Sequence, residues 1–148
     1  MLEGDVKTFM SMGGNFVSAM SDTDSTSKAI QNCDLTVQIS TKPNRSHLVT
    51  GKTALILPCL GRTERDISAN GNQFVTVENS MGVVHTSRGT ARPASTLLRS
   101  EPSIVTGIAS ALDGILGDSS ISWPSLSEDY DSIRNMIESA IPGFDSYN

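Results

Sequence analysis

Short apolar and β-branched runs alternate with polar runs in the first half of the chain, and this pattern predicts strands that alternate with helices. The predicted strands are residues 6–12, 35–39 and 53–57. Between the first two, the polar run at residues 21–26 predicts the start of a helix that ends near Asn32. A short helical turn at residues 45–49 precedes the third strand. This order is typical of a parallel sheet wound with helices.

The third predicted strand is a continuous apolar run ended by Pro58, which predicts a strand that is covered on both faces. Each strand is followed by a polar or glycine-containing loop, at residues 13–15, 40–41 and 59–64. The carboxyl ends of parallel strands meet at one edge of a sheet, where α/β proteins bind ligands. We therefore expect these three loops to share that edge.

The second half of the chain predicts a hairpin, at residues 74–78 and 83–86, and then two helices. Pro102 and Gly117 mark the ends of the first helix, and Ser125 and Glu128 have the spacing of a capping box that opens the second. Each helix has an apolar stripe that predicts core packing: Ile104, Ile108, Ala111, Leu112 and Ile115, and then Leu126, Tyr130, Ile133, Ile137 and Ile141. The predicted fold is one three-layer α/β domain over residues 1–148, with a mostly parallel Rossmann-like sheet, a β-hairpin appendage and C-terminal helices.

Composition adds limits to this picture. The N-terminus has neither the basic nor the apolar region of a signal peptide, and no apolar run is long enough to span a membrane, so we expect a cytoplasmic protein without membrane contact. Cys33 and Cys59 are isolated, which is typical of reduced, partly buried thiols. His47 and His85 lack the spacing of metal ligands, and no nucleophile or phosphate-loop motif occurs, so we expect neither a metal site nor a catalytic residue.

Charge is unevenly distributed along a chain whose net charge is −5. Residues 42–99 carry eight Lys and Arg residues against three acidic residues, whereas residues 101–148 carry eight acidic residues and one Arg. The basic middle indicates either a local anion site or a solvated surface of mixed charge. No aromatic residues interleave with these bases, which argues against nucleic-acid binding.

The loop with the clearest chemical potential is Gly13-Gly14-Asn15, directly after the first strand. Paired glycines can adopt positive φ and bring bare backbone N–H groups close to a ligand. A plain strand-to-loop turn is the alternative, and these residues alone do not exclude it.

Several motifs occur in order over nearly the whole chain: Met-Gly-Gly-Asn-Phe at 12–16, Cys-Asp-Leu-Thr-Val-Gln-Ile-Ser-Thr-Lys at 33–42, Asn-Arg-Ser-His-Leu at 44–48, Ala-Leu-Ile-Leu-Pro-Cys-Leu-Gly-Arg-Thr-Glu at 54–64, Val-Glu-Asn-Ser-Met at 77–81, Ser-Glu-Pro at 100–102 and Ile-Pro-Gly-Phe at 141–144. Together they resemble the formate-dehydrogenase-like alpha subunits of the molybdopterin oxidoreductase family. The resemblance implies that the chain is an internal segment of a larger oxidoreductase. In this family such a region holds part of a bis(molybdopterin guanine dinucleotide) molybdenum cofactor, Mo-bis-MGD.

The resemblance also implies which residues contact the cofactor. They are Gly13, Gly14 and Asn15, Ser40 and Thr41 after the second strand, Glu64 and Arg65 after the third, and Glu101 before a helix. Two departures from the family pattern stand out, because Phe16 replaces a proline and the loop at Ser40 lacks the usual aspartate. That loss puts side-chain hydrogen bonds to the guanosine in doubt.

The chemistry of these residues suits a dinucleotide. Arg65 could bind phosphate, and Glu64 and Glu101 could accept hydrogen bonds from guanine. Two alternatives remain open: Glu64 and Arg65 as an ordinary surface pair, and Glu101 as an acidic residue that only stabilises a helix dipole.

The chain lacks the cysteines that would bind a 4Fe–4S cluster, so any such cluster would belong elsewhere in the parent enzyme. It also lacks a recognisable molybdenum ligand, and we expect no catalysis by the isolated chain. The expected partners are the other domains of the parent enzyme and an electron-transfer protein. The alternatives are a free-standing nucleotide- or anion-binding module without redox activity, and an interaction domain.

Overall fold

The computed structural model describes residues 1–117 and 120–148, which form two compact units, Met1–Cys59 and Leu60–Asn148. The predicted α/β class is confirmed, with a parallel sheet, antiparallel strand pairs and C-terminal helices. The single domain over residues 1–148 stays a prediction.

The first unit is a three-stranded parallel sheet with short helices. Its elements are β1 (Thr8–Met12), α1 (Phe16–Ala19), α2 (Thr23–Gln31), β2 (Leu35–Ser40), a 3₁₀ turn (Arg45–Leu48) and β3 (Thr53–Pro58). The strand order is β1-β2-β3, and Met12, Ile39 and Leu57 lie in register next to the carboxyl ends of the strands. The loops that follow β1 and β2 therefore leave from one edge, as predicted.

The helix predicted from the polar run is confirmed as α2. The Asp22 side chain caps it by accepting a hydrogen bond from the Ser25 N–H at 2.9 Å. Ile30 and Ala29 are buried on its inner face. Local capping chemistry thus defines the start of this helix, and two apolar residues attach it to the unit.

The prediction that β3 is covered on both faces is wrong. Leu55 and Ile56 are about half exposed, because β3 is an edge strand with β2 as its single partner among the described residues. The strand covered on both faces is β2, where even Thr36 and Gln38 are buried beside Val37 and Ile39. The Gln38 Nε2 donates to the Ser46 carbonyl oxygen at 2.6 Å, and such bonds allow polar residues to occupy a central strand.

The second unit contains two small antiparallel strand pairs and three helices. Its elements are β4 (Ile67–Ser68), β5 (Gly71–Asn72), β6 (Val75–Glu78), β7 (Val84–Ser87), α3 (Glu101–Leu116), α4 (Trp123–Glu128) and α5 (Tyr130–Ala140). The predicted hairpin is confirmed as β6 and β7. The short β4–β5 pair has no counterpart among the predicted elements.

The C-terminal helices differ from the prediction in two respects. The predicted capping box that opens a helix at Ser125 is wrong, because the helical segment divides at Asp129. The Asp129 side chain caps α5 by accepting a hydrogen bond from the Asp131 N–H. The apolar stripe of α3 is not core along its length either, since Leu112 and Ile115 are exposed and Thr106 is the buried residue of that helix. Pro102 lies in the first turn of α3 and Gly117 ends it, as predicted.

Buried polar side chains dominate the interior of the second unit. Tyr130 and Arg134 of α5 are each 3% exposed. The Arg134 Nη1 donates to the Phe74 carbonyl oxygen at 3.0 Å, and its guanidinium carbon lies 3.7 Å from the centre of the Phe74 ring. One arginine therefore joins α5 to the segment before β6 through both a hydrogen bond and a cation–π contact.

Cys33 and Cys59 are both buried. Within the described residues, no helix combines the length and the apolar character needed to cross a membrane.

The close approach of the backbone at Gly89 leads to a prediction about the stability of the second unit. A Cβ atom at Gly89 would lie 1.9 Å from the Glu64 carbonyl oxygen, whereas a Cβ atom at Gly107 in α3 would meet nothing within 4 Å. We expect Gly89→Ala to reduce the free energy of unfolding by about 1–3 kcal/mol. Gly107→Ala should instead raise it by about 0.5–1 kcal/mol, since alanine is the better helix former. Urea midpoints that do not separate the two variants in this order would contradict the packing.

Candidate functional site

The glycine loop, residues 13–15, has the backbone form that glycine permits and other residues resist. Gly13 and Gly14 both have φ of 64°. The Gly13 N–H donates to the Ile39 carbonyl oxygen at 2.8 Å, which attaches the loop to the end of β2. A Cβ atom at either glycine would meet nothing within 4 Å, so the loop faces open space. A ligand can approach the backbone there.

The next two N–H groups of this loop are available to a ligand. Within residues 1–117 and 120–148, no protein acceptor bonds the N–H of Gly14 or of Asn15. Successive free N–H groups in a turn form a concave surface that binds anions. The helix that follows, α1, has four residues and adds little dipole of its own.

A turn from a later part of the chain holds the glycine loop in place. The Asn44 Nδ2 donates to the Gly14 carbonyl oxygen at 2.7 Å. The Ser46 hydroxyl donates to the Asn15 Oδ1 at 3.0 Å and accepts from the Val17 N–H at 3.0 Å. Ser46 is 3% exposed, so these bonds are shielded from water. The loop is therefore a braced structure and not a free turn.

The bracing turn is itself fixed by local hydrogen bonds. The Asn44 Oδ1 accepts from the Ser46 N–H, and the His47 Nδ1 accepts from the Asn44 N–H, each at 2.9 Å. The sequence predicts a helical turn at residues 45–49, but it does not predict that this turn braces the glycine loop. The spacing of Asn44 and His47 is that of a reciprocal cap and could have indicated the capped turn, but it does not indicate the contact of this turn with the glycine loop.

Ser40 and Thr41 lie at the same sheet edge as the glycine loop. Ser40 is the last residue of β2, directly after Ile39, whose carbonyl oxygen binds Gly13. The Ser40 hydroxyl donates to the Lys42 carbonyl oxygen at 2.9 Å, and Thr41 is exposed. The structure thus brings five of the predicted site residues together within the first unit.

Glu64 and Arg65 belong to the second unit, and their contacts do not match a surface pair. The Glu64 Oε2 accepts from the Gly61 N–H at 2.6 Å, and its Oε1 accepts from the Ala94 N–H at 2.5 Å. These bonds, that of Gly61 most strongly, hold the pKa of Glu64 below its usual value of 4.5. Glu64 joins two loops, and no ion pair links it to Arg65 among the described residues.

Glu101 is the first residue of α3. Ser100 caps this helix by accepting from the Ser103 N–H at 3.4 Å, and Glu101 lies in the first turn, where a carboxylate stabilises the helix dipole. Its contact with a cofactor stays a prediction.

A hydrogen-bonded cluster near this helix was not predicted. The Tyr130 hydroxyl contacts the Asp66 carboxylate and lies 2.6 Å from the Ser100 hydroxyl. Burial, followed by the bond to Asp66, raises the pKa of Tyr130 well above its usual value of 10.0. The sequence placed Tyr130 only in an apolar stripe, and nothing in its spacing from Asp66, which is 64 residues away, indicates the contact.

Beside this cluster lies a cleft of about 590 Å³ within the second unit. Its lining includes Arg65, Asp66, Arg99, Ser100 and Glu128. Of the predicted site residues, Arg65 alone lines it. In the parts of the chain that the structure describes, no group of three His, Cys, Asp or Glu residues could hold a metal ion.

Comparison with known proteins shows similarity along the whole chain to segments of longer proteins. The chain is 51% identical over 148 residues to proteins named uncharacterized oxidoreductase in Mycobacterium tuberculosis and Mycobacterium bovis. It is 47% identical over 145 residues, or 98% of its length, to Protein YdeP of Escherichia coli. It spans 19% of the length of each. The chain is related to a segment of longer proteins, some of which are named oxidoreductases. No family model and no solved structure matches it.

The two hydrogen bonds of the Ser46 hydroxyl lead to a prediction for the first unit. Ser46→Ala leaves the Val17 N–H and the Asn15 Oδ1 without this partner, and we expect local opening to become easier by about 1–3 kcal/mol. Hydrogen exchange of the Val17 amide measures this change. Ser18→Ala is the matched control: Ser18 is an exposed serine directly after Val17, and its substitution should leave the exchange rate of the Val17 amide unchanged. Equal protection in both variants would contradict the bracing role.

The lowered pKa of Glu64 predicts that its contact with Gly61 and Ala94 depends on pH. Because its folded-state pKa is lower than the unfolded value, the contact with Gly61 and Ala94 contributes stability above pH 4.5 and is lost as the pH falls through the folded pKa. The amide proton shift of Ala94 should titrate with a midpoint below pH 4.5, and Glu64→Gln should abolish that titration. A midpoint at or above 4.5 would refute the assignment.

Proposed function

We propose that this chain is part of a larger oxidoreductase of the formate-dehydrogenase-like molybdopterin type, in which it holds part of Mo-bis-MGD. The observation that carries the proposal is the glycine loop, at the carboxyl edge of a parallel sheet: Gly13 and Gly14 have positive φ, and the N–H groups of Gly14 and Asn15 are free. The names of the longer relatives, which include oxidoreductases, support the redox class. The molybdopterin type rests on the motif resemblance.

The residues of the first unit fit a pyrophosphate group. The free N–H groups of Gly14 and Asn15 can donate to phosphate oxygens, and the open space at both glycines leaves room for the ligand. Thr41 adds a hydroxyl donor at the same edge, and the Ser40 hydroxyl, whose proton is donated to Lys42, can accept a hydrogen bond there. Without the family's aspartate, these hydroxyls are the polar side chains offered to the cofactor at this loop.

The departure at Phe16 is compatible with this role. Its ring centre lies 5.0 Å from that of Phe9 in β1, so the ring packs against the strand that leads into the loop. Phe16 thus supports the loop by packing, where a proline would support it by restricting the backbone.

The second unit, taken by itself, contains the charged residues of the predicted site. Arg65 would bind phosphate, and Glu64 holds the loop that presents it by bonding to Gly61 and Ala94. The remaining lone pairs of the Glu64 carboxylate, together with Glu101, would accept hydrogen bonds from guanine. When bound, the molybdenum centre supplies the redox chemistry, and this chain supplies binding and orientation.

The proposal extends to the whole protein. Its partners would be the other domains of the same polypeptide and an electron-transfer protein, and its location would be cytoplasmic. Any 4Fe–4S cluster would be bound outside this chain.

Gly14→Val in the complete polypeptide tests the proposal. A β-branched residue at positive φ costs about 1–2 kcal/mol, so we expect cofactor affinity to fall about tenfold or more. Molybdenum content and guanine nucleotide released on denaturation measure the occupancy.

Gly4→Val is the control. Gly4 also has positive φ and open surroundings, but it lies outside the loop, so this variant should keep its cofactor. Unchanged molybdenum in Gly14→Val would contradict the role of the loop. A wild-type protein that binds guanine nucleotide without molybdenum would instead identify a nucleotide-binding module without redox activity.

A further inference from the structure

The outer edge of β3 carries backbone groups that have no partner in this chain. The Thr53 N–H donates to the Asp34 carbonyl oxygen at 2.9 Å, so the odd-numbered residues of β3 bond to β2. Because the N–H and C=O groups of successive strand residues point in opposite directions, those of Ala54 and Ile56 point away from β2. Among the described residues, β2 is the one strand that pairs with β3. Residues 54–56 therefore form a free edge.

The side chains of β3 are apolar and exposed on both faces of the sheet. Leu55 is 47% exposed and Ile56 is 51% exposed, and successive strand residues point to opposite faces. Natural proteins protect a free edge with charged side chains, bulges or a very short strand. The six residues Thr53–Pro58 include no charge, and the proline is the last of them. This edge has the properties of a surface that pairs with another strand.

The sheet itself is smaller than its type requires. It has three strands, all parallel, whereas sheets usually have about four to six strands and parallel sheets are covered on both faces. The chain spans 19% of the length of its longer relatives, so about four fifths of such a polypeptide lies outside it. A strand of the same polypeptide has a high effective concentration at this edge, which favours it over a second copy.

We propose that residues 53–57 pair with one further strand from the part of the longer polypeptide outside these 148 residues. The added strand bonds to the outward N–H and C=O groups of Ala54 and Ile56. Pro58 has no N–H, so it donates nothing to this ladder. The added strand is apolar, because together with the layers beside it it covers Leu55 and Ile56. The inference rests on the proposed function for the larger polypeptide, and it does not depend on the molybdenum cofactor.

Amide hydrogen exchange of the complete polypeptide tests the pairing, with residue resolution from mass spectrometry with electron-transfer fragmentation. The amides of Leu55 and Leu57 bond to β2 and are the internal references. We expect the amides of Ala54 and Ile56 to exchange within about tenfold of the reference rates, because a second strand protects them. Exchange of Ala54 and Ile56 faster than this limit would overturn the inference.

Ile56→Asp places a charge on the edge, as natural free edges do. In the complete polypeptide we expect the Ala54 amide to exchange about a hundredfold faster in this variant. Leu48→Asp is the matched control, because Leu48 is an aliphatic residue of the same unit, is 85% exposed and lies outside the edge. It should leave the Ala54 amide unchanged, and equal effects of the two variants would overturn the inference.

A second variant covers the case in which Ile56→Asp does not fold. Ala54→Pro removes the outward N–H and leaves the bonds to β2 in place, so the Ile56 amide should lose its protection. Unchanged protection of Ile56 in this variant would contradict the pairing.

Cross-linking identifies the added strand. A photoreactive leucine analogue, incorporated in place of leucine, allows Leu55 to form links to its neighbours on illumination. A link to a residue of the same polypeptide outside the 148 residues supports the inference. Links confined to the 148 residues, or links between a heavy-isotope copy and a light copy, would overturn it.

Failure of the inference is distinct from failure of the proposed function. Molybdenum in the complete polypeptide, with fast exchange at Ala54 and Ile56, overturns the added strand and supports the cofactor role. Slow exchange at both amides and a link to the outside segment, with no molybdenum in the protein, supports the added strand and overturns the molybdopterin assignment.

Discussion

The Ser46 hydroxyl joins two segments of the chain that are about thirty residues apart, and the shape of the glycine loop depends on this contact. It donates to Asn15 on one side and accepts from Val17 on the other, so it determines where the chain goes after the two glycines. A glycine pair without such a brace samples many conformations, and the entropy of ordering it would be lost on binding a ligand. The brace orders the loop in advance.

Buried polar groups have the same organising role in the second unit. Tyr130 contacts Asp66 and Ser100, and Arg134 contacts Phe74, so α5 is attached to two distant segments through hydrogen bonds. Such contacts are directional, and removing one partner leaves the other buried and unsatisfied. They specify how loops that contain few apolar residues are placed, and those loops carry Arg65 and Arg99.

The edge strand β3 and the exposed face of α3 show why apolar content alone does not predict burial. Leu55 and Ile56 of β3 and Ile115 of α3 have the residue types of a core, yet each is exposed in this chain. Apolar composition shows that a surface would gain from burial, but not which partner covers it. Gln38 shows the converse, because a polar residue is buried once its amide finds an acceptor at Ser46.

The local elements follow from the sequence because their causes are local. Asp22 caps α2, Pro102 and Gly117 delimit α3, and the paired glycines predict the turn with positive φ after β1. The predicted order of strands and helices was also sufficient for the parallel sheet and for the shared edge of Gly13 and Ser40.

Tertiary structure alone decided the central position of β2, the bonds from Ser46 to the glycine loop and the meeting of Arg65 with Arg99 in one cleft. These features join residues roughly twenty to thirty-five positions apart. Because no local periodicity or capping pattern encodes such a pairing, it emerges only when the whole unit has packed.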